Sequence, residues 1–370
     1  MVTSLYIHIP FCESICTYCD FSKLVGSPAL MNYYVDALVI ELESYENQLG
    51  HLKTIHLGGG TPSALPLELL ETVLSKLKSL IDFESVLEFG IEANPNHVTD
   101  EFVDLIMRYG VNRISLGVES SHPHHLLKMN RSHSREQATS AVRILQNHGL
   151  TNINLDFIYA WPRQTLDELK ADLDYATALK SKHLSFYSLI LEPKTKLYHD
   201  YEKHDLVLAD EELDAVMYEY IMAELPKRGF RQYEISNFAI EGFASKHNLA
   251  YWNLEEYLGV GMGAHSQVGQ GRFHNHASVK KYLEAVMEQH NGVESSDSCD
   301  LFQESFIMGL RKIEGIALDE LKIRFNKDPF IEYPMILKNI KEGLLEIDSN
   351  HLKLTKRGLL LMNYVERSFL

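Results

Sequence analysis

Tyr6-Ile-His-Ile-Pro-Phe-Cys12-Glu-Ser-Ile-Cys16-Thr-Tyr-Cys19-Asp-Phe21 gathers three of the four cysteines of a 370-residue chain into one short stretch, spaced C-x3-C-x2-C. Thiolates this close, on a loop after an apolar run, can converge on one metal centre. Structural zinc takes four closed ligands as a rule, and iron–sulfur clusters commonly take four cysteines. The local set here stops at three, with Phe21 where a further C-x-C cysteine could stand. A cubane [4Fe–4S] cluster on three thiolates keeps one iron open to another ligand. The competing readings are zinc with His8 or the distant Cys299 as fourth ligand, inert buried thiols, and a disulfide framework. The last is disfavoured in a chain of this size with no secretory signal.

The totals narrow the class. With 45% hydrophobic and 23% charged residues, the composition is that of an ordinary globular protein, and the length suits one large or two ordinary domains. No apolar run reaches bilayer-spanning length. A net charge of −16 disfavours general nucleic-acid binding. Clustered cysteines fit a reducing compartment. The expectation is a soluble cytoplasmic protein without a nucleic-acid partner.

Around the cysteines the first half alternates two patterns. Short β-branched and aromatic runs near 4–9, 53–57, 86–92, 112–118, 152–159 and 183–190 read as strands. Helical patterns near 28–48, 66–81, 99–109, 134–148 and 165–179 lie between them. Such alternation predicts a parallel sheet. Six units suit a partial barrel better than a closed eight-stranded one; a doubly wound open sheet is the alternative. No Gly-x-Gly-x-x-Gly follows the first strand, which disfavours a nucleotide-binding Rossmann domain.

Ligands in α/β sheets and barrels bind beyond the carboxyl ends of the strands. The unusual residues fall there repeatedly: the cysteines, then Gly58-Gly59-Gly60-Thr61-Pro62, Glu92-Ala-Asn94-Pro95, Gly117-Val-Glu119-Ser120, Asp156, and Tyr187-Ser-Leu-Ile190. A glycine run lets backbone approach a ligand closely, although a tight turn would need the same residues. Glu92, Arg131 and Asp156 read equally as ordinary polar residues or as ligand contacts.

Beyond 190 the pattern changes. A helix is expected at 209–228. Then come Arg231-Gln-Tyr-Glu-Ile-Ser-Asn-Phe238, Ser245-Lys-His247-Asn248-Leu-Ala-Tyr251-Trp252, and Leu258-Gly-Val-Gly-Met-Gly-Ala-His265-Ser266. Residues 267–298 read as a loop, a helix and a polar linker. The last seventy residues should hold two or three helices and a short β-wing built from 343–347 and 352–358. The resulting division is 1–240, 241–298 and 299–370.

C-x3-C-x2-C resembles the signature of the radical S-adenosylmethionine (SAM) enzymes. Tyr-Ile-His-Ile-Pro-Phe-Cys, Gly-Gly-Gly-Thr-Pro-Ser, Glu-Ala-Asn-Pro, Asn112-Arg-Ile-Ser-Leu-Gly-Val, Tyr233-Glu-Ile-Ser-Asn-Phe-Ala and His-Asn-Leu-Ala-Tyr-Trp narrow it further. Together they resemble the oxygen-independent coproporphyrinogen III oxidase family over nearly the whole chain. Phe21, the eleven residues before Cys12, and His247-Asn248-x-x-Tyr251-Trp252 resemble its haem-chaperone branch. The resemblance implies an α/β fold: a partial (β/α)6 radical SAM barrel with a mainly helical, winged-helix-like C-terminal domain. It implies a [4Fe–4S] cluster on Cys12, Cys16 and Cys19. SAM contacts would come from Tyr6, Tyr18, Gly59, Gly60, Thr61, Glu92, Glu119, Arg131 and Asp156, with Ile190 and His265 flanking the adenosyl group. Haem is the implied cargo. His247 is the first candidate axial ligand and His265 the second, with Asn248, Tyr251 and Trp252 beside them. An acceptor protein and an electron donor would be partners, and weak membrane association without a spanning segment is left open. Coproporphyrinogen III oxidation is the alternative function. Two departures from the family pattern stand out. Glu119 replaces a usual Gln, and Ala160-Trp161-Pro162-Arg163-Gln164-Thr165 replaces a Gly-Leu-Pro-Gly-Gln-Thr-like segment, which adds bulk and restricts the backbone where the family has glycine.

Overall fold

The computed structural model describes residues 1–204 and 206–370. Six strands form its centre: β1 (Ser4–Ile9), β2 (Thr54–Gly59), β3 (Glu88–Ala93), β4 (Arg113–Glu119), β5 (Ile153–Tyr159) and β6 (His183–Ser188). They pair in sequence order, all parallel. The main helices between them are α1 (Pro28–Ser44), α2 (Leu67–Leu80), α3 (Asp100–Arg108), α4 (Pro123–Lys128), α5 (Arg135–Asn147) and α6 (Leu166–Ala178). Among the described residues β1 does not pair with β6, so the (β/α)6 barrel stays open.

Period-two patterning explains which face does what. Leu5, Ile7, Ile55, Leu57, Phe89, Ile91, Ile114, Leu116, Ile153 and Leu155 are fully buried and join one core with the helices. Residues one position away, Tyr6, His8, Glu92, Ser115, Gly117 and Asp156, line cavities instead. Consecutive right-handed crossovers keep helices on one face of such a sheet, leaving the other for polar side chains. Capping boxes start α5 (Ser134 with Gln137) and α6 (Thr165 with Glu168).

Further elements extend the sheet to twelve strands. After β6 come α7 (Lys196–Glu202), α8 (Glu211–Glu224), β7 (Arg231–Gln232), β8 (Asn237–Ala239) and α9 (Lys246–Trp252); β8 lies antiparallel on β6. On the other edge β9 (Tyr257–Val260) runs parallel to β1, followed by antiparallel β10 (His265–Val268), β11 (Gly271–Asn275) and β12 (Val293–Ser298). The loop and polar linker expected over 267–298 are thus corrected: two strands flank α10 (Val279–Gln289) there. Val-Glu-Ser-Ser-Asp-Ser is an edge strand, mostly exposed and held by backbone pairing, so it has no apolar alternation to read. Fully buried Glu41 on α1 fastens this edge. Its carboxylate accepts from Gly261 N (2.8 Å), Gly292 N (3.1 Å), Asn275 Nδ2 (2.7 Å) and Tyr282 Oη (2.7 Å).

The C-terminal segment has its own core around Phe302, Phe306, Leu310, Ile336, Leu352 and Phe369. It begins with α11 (Leu301–Gly309), and more helices follow than the two or three expected. Proline opens the helix Pro329–Glu332 and precedes Met335–Lys341, dividing that stretch into short pieces. The expected wing is the hairpin of β14 (Leu345–Asp348) and β15 (His351–Leu354), with the two-residue β13 (Ile316–Ala317) on its edge. Arg311 lies over the Trp252 ring at 4.7 Å and Lys312 Nζ bonds Asn253 Oδ1 at 2.8 Å, so this module packs on the end of α9.

Between β5 and α6, Ala160 and Arg163 have positive φ (55° and 65°), in the region glycine tolerates best. Neither lines a cavity beside the cysteines, and Trp161 is buried with Met129, Ile158 and Leu197. The departure from the glycine-containing family pattern is therefore absorbed by backbone strain and a small core. Arg163→Gly should raise the unfolding free energy by about 1 kcal/mol, the left-handed penalty of a residue with a Cβ less the flexibility gained by the unfolded chain. Denaturant unfolding at unchanged m-value checks it.

Candidate functional site: two cavities beside the cysteine loop

The cysteine loop leaves β1 at Pro10 and is closed at its base by Cys12 N to Leu24 O (3.0 Å) and Leu24 N to Pro10 O (2.8 Å). Its tip is tied to the end of α4: Thr17 N donates to Met129 O (3.1 Å), Thr17 Oγ1 to Lys128 O (3.0 Å), and Asn130 Nδ2 to Ile15 O (2.8 Å). Cys12, Cys16 and Cys19 all open on one cavity of about 480 Å³. Thr61 Oγ1 lies 3.6 Å from Cys12 Sγ and Arg131 Nη1 3.5 Å from Cys16 Sγ. Burial pushes the Cys19 thiol up to about 11 and raises that of Cys12. These sulfurs need a cation to become thiolates, and an iron–sulfur cluster would supply one. The donor set fits a three-cysteine cluster. Cys299 makes its contact with Gln270 on the far edge of the sheet and does not line this cavity.

Beyond the cysteines the same cavity is lined by Tyr18, Gly59, Gly60, Thr61, Glu92, Glu119, Arg131, Asp156 and Ile190. Gly60 must be glycine: a Cβ would sit 2.5 Å from Pro10 O and 3.0 Å from Cys12 Sγ. Glu92 accepts from Gly59 N (3.2 Å) and contacts His56 Nε2 (3.1 Å). The buried Arg131 guanidinium donates to Gly117 O (2.6 Å) and to Asn94 Oδ1, and lies 3.5 Å from Glu119 Oε1. Burial raises the Glu119 carboxyl, with Arg131 pulling it back. Burial and the nearby Glu119 push Asp156 up to about 7. Three carboxyl groups thus line a cavity with one guanidinium, which pairs with Glu119 alone among them, an arrangement that favours a ligand carrying positive charge.

A second cavity, about 520 Å³, adjoins the first; Asp20, Phe21, Gly59 and Glu92 line both. Its aromatic wall is Tyr251, Trp252 and Tyr257, with Met308 from α11 and His265 and Arg272 from the β9–β11 edge. Two buried donors on these residues, Trp252 Nε1 and Arg272 Nε, have no hydrogen-bond partner. A buried donor without an acceptor is costly and asks for a ligand or water.

Some of the expected site residues lie elsewhere. Tyr6 and His265 line the second cavity and not the cysteine cavity. His247 lines neither. It is 1% exposed, with Nδ1 on Thr54 Oγ1 (2.8 Å) and Nε2 on the Tyr251 hydroxyl (2.8 Å), and its amide donates to Glu88 (3.0 Å). As expected for a helix, His247 and Tyr251 share a face, but that face turns inward, so the imidazole has no nitrogen left for iron. Asn248 N is capped by Ser245 Oγ (3.3 Å) and its side chain lines neither cavity. Sequence reasoning missed Tyr257, Arg272 and Met308. They come from three distant segments, and no local spacing links them.

The Radical SAM superfamily model matches residues 6–176 and the HemN C-terminal domain model residues 298–361. The chain is 38% identical to the heme chaperone HemW of Lactococcus lactis, over 99% of this chain and 97% of that protein. It is 37% identical to the HemW of Bacillus subtilis over 99% of both. The solved coproporphyrinogen III oxidase HemN of Escherichia coli superposes with a TM-score of 0.87 at 22% identity, covering 100% of this chain and 90% of that one.

Anaerobic reconstitution should load about four irons per chain, as a single cubane requires. Cys12→Ala, Cys16→Ala and Cys19→Ala should each abolish loading and Cys299→Ala should not; iron and sulfide analysis decides. A second outcome concerns pH. Asp156 holds a proton in the fold that the unfolded chain releases at a lower pH. Its contribution to the stability of the ligand-free chain is present below the unfolded carboxylate range and lost as pH rises through about 7. Affinity for SAM should run oppositely, rising as Asp156 ionises. Asp156→Asn should flatten both profiles, measured by denaturant unfolding and calorimetric titration.

Proposed function

Because the chain belongs to the HemW family of radical SAM proteins, whose fold takes a [4Fe–4S] cluster and SAM, we propose that it is a haem chaperone that binds haem and passes it to an acceptor protein. The observation that carries this reading is the second cavity. An aromatic wall suits a porphyrin face, and the unpaired Trp252 Nε1 and Arg272 Nε suit a carboxylate such as a haem propionate, the Arg272 Nη atoms being held by Glu304 (3.3 Å). His265 makes no side-chain hydrogen bond among the described residues and lies tilted at 35° to His274 (5.2 Å between rings). Its imidazole, or the Met308 thioether, is the axial donor this cavity offers.

In this proposal each cavity has its own task. Cys12, Cys16 and Cys19 hold the cluster, which supplies the electron for reductive cleavage of SAM when both are bound. Arg131 braces the loop, and Glu92, Glu119 and Asp156 receive the positive groups of SAM. Phe21 and Glu92, shared by both walls, are where SAM in one cavity would be felt in the other. An external one-electron donor is needed. We read 1–298 as one body around a continuous sheet and 299–370 as a separately cored module that lends Met308 to the haem cavity. A reducing cytoplasmic setting suits the free thiols. No helix among the described residues is long and apolar enough to cross a membrane. Coproporphyrinogen III oxidation is the weaker reading, since the likeness to HemN carries the fold alone.

Haem titration followed at the Soret band tests the assignment. Wild type should bind one haem per chain. His265→Ala should weaken binding at least tenfold or change the axial spectrum; His247→Ala should lower stability and keep the ligand-field signature. A His265→Ala variant with unchanged affinity and spectrum would remove His265, and the test then passes to Met308→Leu. Multiple turnovers of coproporphyrinogen III with SAM and reductant would overturn the chaperone reading.

A further inference from the structure

Away from both cavities, β4 runs out through Ser120-Ser121-His122-Pro123-His124-His125 into α4, opposite the first turn of α6. One ring nitrogen of His122, one of His124 and a carboxylate oxygen of Glu168 lie within 4.8 Å of one another. His124 Nε2 is 3.0 Å from Glu168 Oε1 and His125 Nε2 is 3.5 Å from Glu168 Oε2. The rings of His124 and His125 are 4.1 Å apart, and His122 is 5.7 Å from each. His125 is 1% exposed, and neither of its nitrogens makes a hydrogen bond. His124 and His125 face the Glu168 carboxylate, and His122 Nε2 is held by the Glu168 backbone carbonyl (3.0 Å), so three imidazoles gather at one residue and the buried one is unsatisfied.

We propose that His122, His124 and Glu168 form a second metal site, with the buried His125 beside it, for a borderline divalent transition ion such as Zn²⁺. Nitrogen and oxygen donors of this kind select Zn²⁺ and its neighbours over Mg²⁺ or Ca²⁺. The carboxylate is already oriented: Glu168 Oε2 accepts from Thr165 N (2.8 Å) in the capping box of α6, leaving Oε1 turned to His124. A fixed outer shell is present as well. Buried Asp172 accepts from Ser121 N (2.6 Å) and Ser120 Oγ (3.3 Å) and lies 3.8 Å from His122 Nε2. The ion would staple the start of α4 to α6. Since the far end of α4 holds Thr17 and the cysteine loop, the staple fixes the ground on which the cluster loop rests.

The test uses the full chain with its cluster loaded, equilibrated anaerobically against buffered micromolar Zn²⁺. Metal analysis should find one zinc per chain with iron unchanged, and zinc-edge absorption should fit nitrogen and oxygen donors without sulfur. Glu168→Gln keeps the capping geometry, and the half-exposed His124→Ala leaves packing alone. Both should weaken zinc binding at least tenfold, the smallest loss expected for a ligand when outer-shell changes cost ten- to a hundredfold. Zinc should also raise the unfolding temperature of wild type and of neither variant. No zinc in wild type, full retention in both variants, or a sulfur-containing shell would each overturn the site.

Discussion

A single buried guanidinium makes this rim tolerable. Six parallel strands deliver Glu92, Glu119 and Asp156, together with three cysteines, to one end of an open barrel. Burial works against a charged Arg131, but Tyr18, Glu119 and Cys16 outweigh it and hold the cation firmly. Its donors reach the loop after β3 (Asn94), the end of β4 (Gly117 and Glu119) and the cysteine loop (Cys16). Removing one partner of such a buried network costs about 3–5 kcal/mol, because the charges left behind have no water. The residue comes from a short loop after α4, so the placement of α4 is a condition for the whole site.

The polar inner face has a second consequence. A parallel sheet with both faces packed would be an ordinary core. Here one face is given over to cavities, and the rest of the chain is arranged to cover it. The β9–β12 edge and α9 close one side, and α11 reaches in with Met308. His247 belongs to this covering. With Thr54, Tyr251 and Glu88 as partners it docks α9 onto β2 and β3, and so sets the aromatic wall that Tyr251 and Trp252 present.

The barrel was legible because its signals are local. Strand and helix periods, the three-cysteine spacing and the glycine run each lie within a few residues, and all converge on the first cavity. The second cavity was half legible. Tyr251 and Trp252 stand in a recognisable motif, but which face of α9 turns inward depends on Thr54 and Glu88, far away in sequence. Met308 and Arg272 carry no pattern of their own. β12 was illegible for a different reason: an edge strand held by backbone bonds leaves no trace in side-chain alternation. The positive φ at Ala160 and Arg163 was visible only as a departure from glycine, because the small core around Trp161 that takes up the bulk is built from Met129, Ile158 and Leu197, mostly far away in sequence.

The Glu41 staple bears on how a large flat cargo gets in and out. Sliding β9–β12 away from β1 would strand a carboxylate that four donors now satisfy inside the protein, so that flank behaves as a fixed jamb. The module that carries Met308 is tied to the same edge by Arg272 and Glu304 (3.3 Å), whereas Phe21 is held by no such pair among the described residues. Phe21 is 67% exposed on the cysteine loop, and Met308 belongs to a module with its own core. The exposed Phe21 side chain is therefore the part of the wall that can turn aside without uncovering a buried charge.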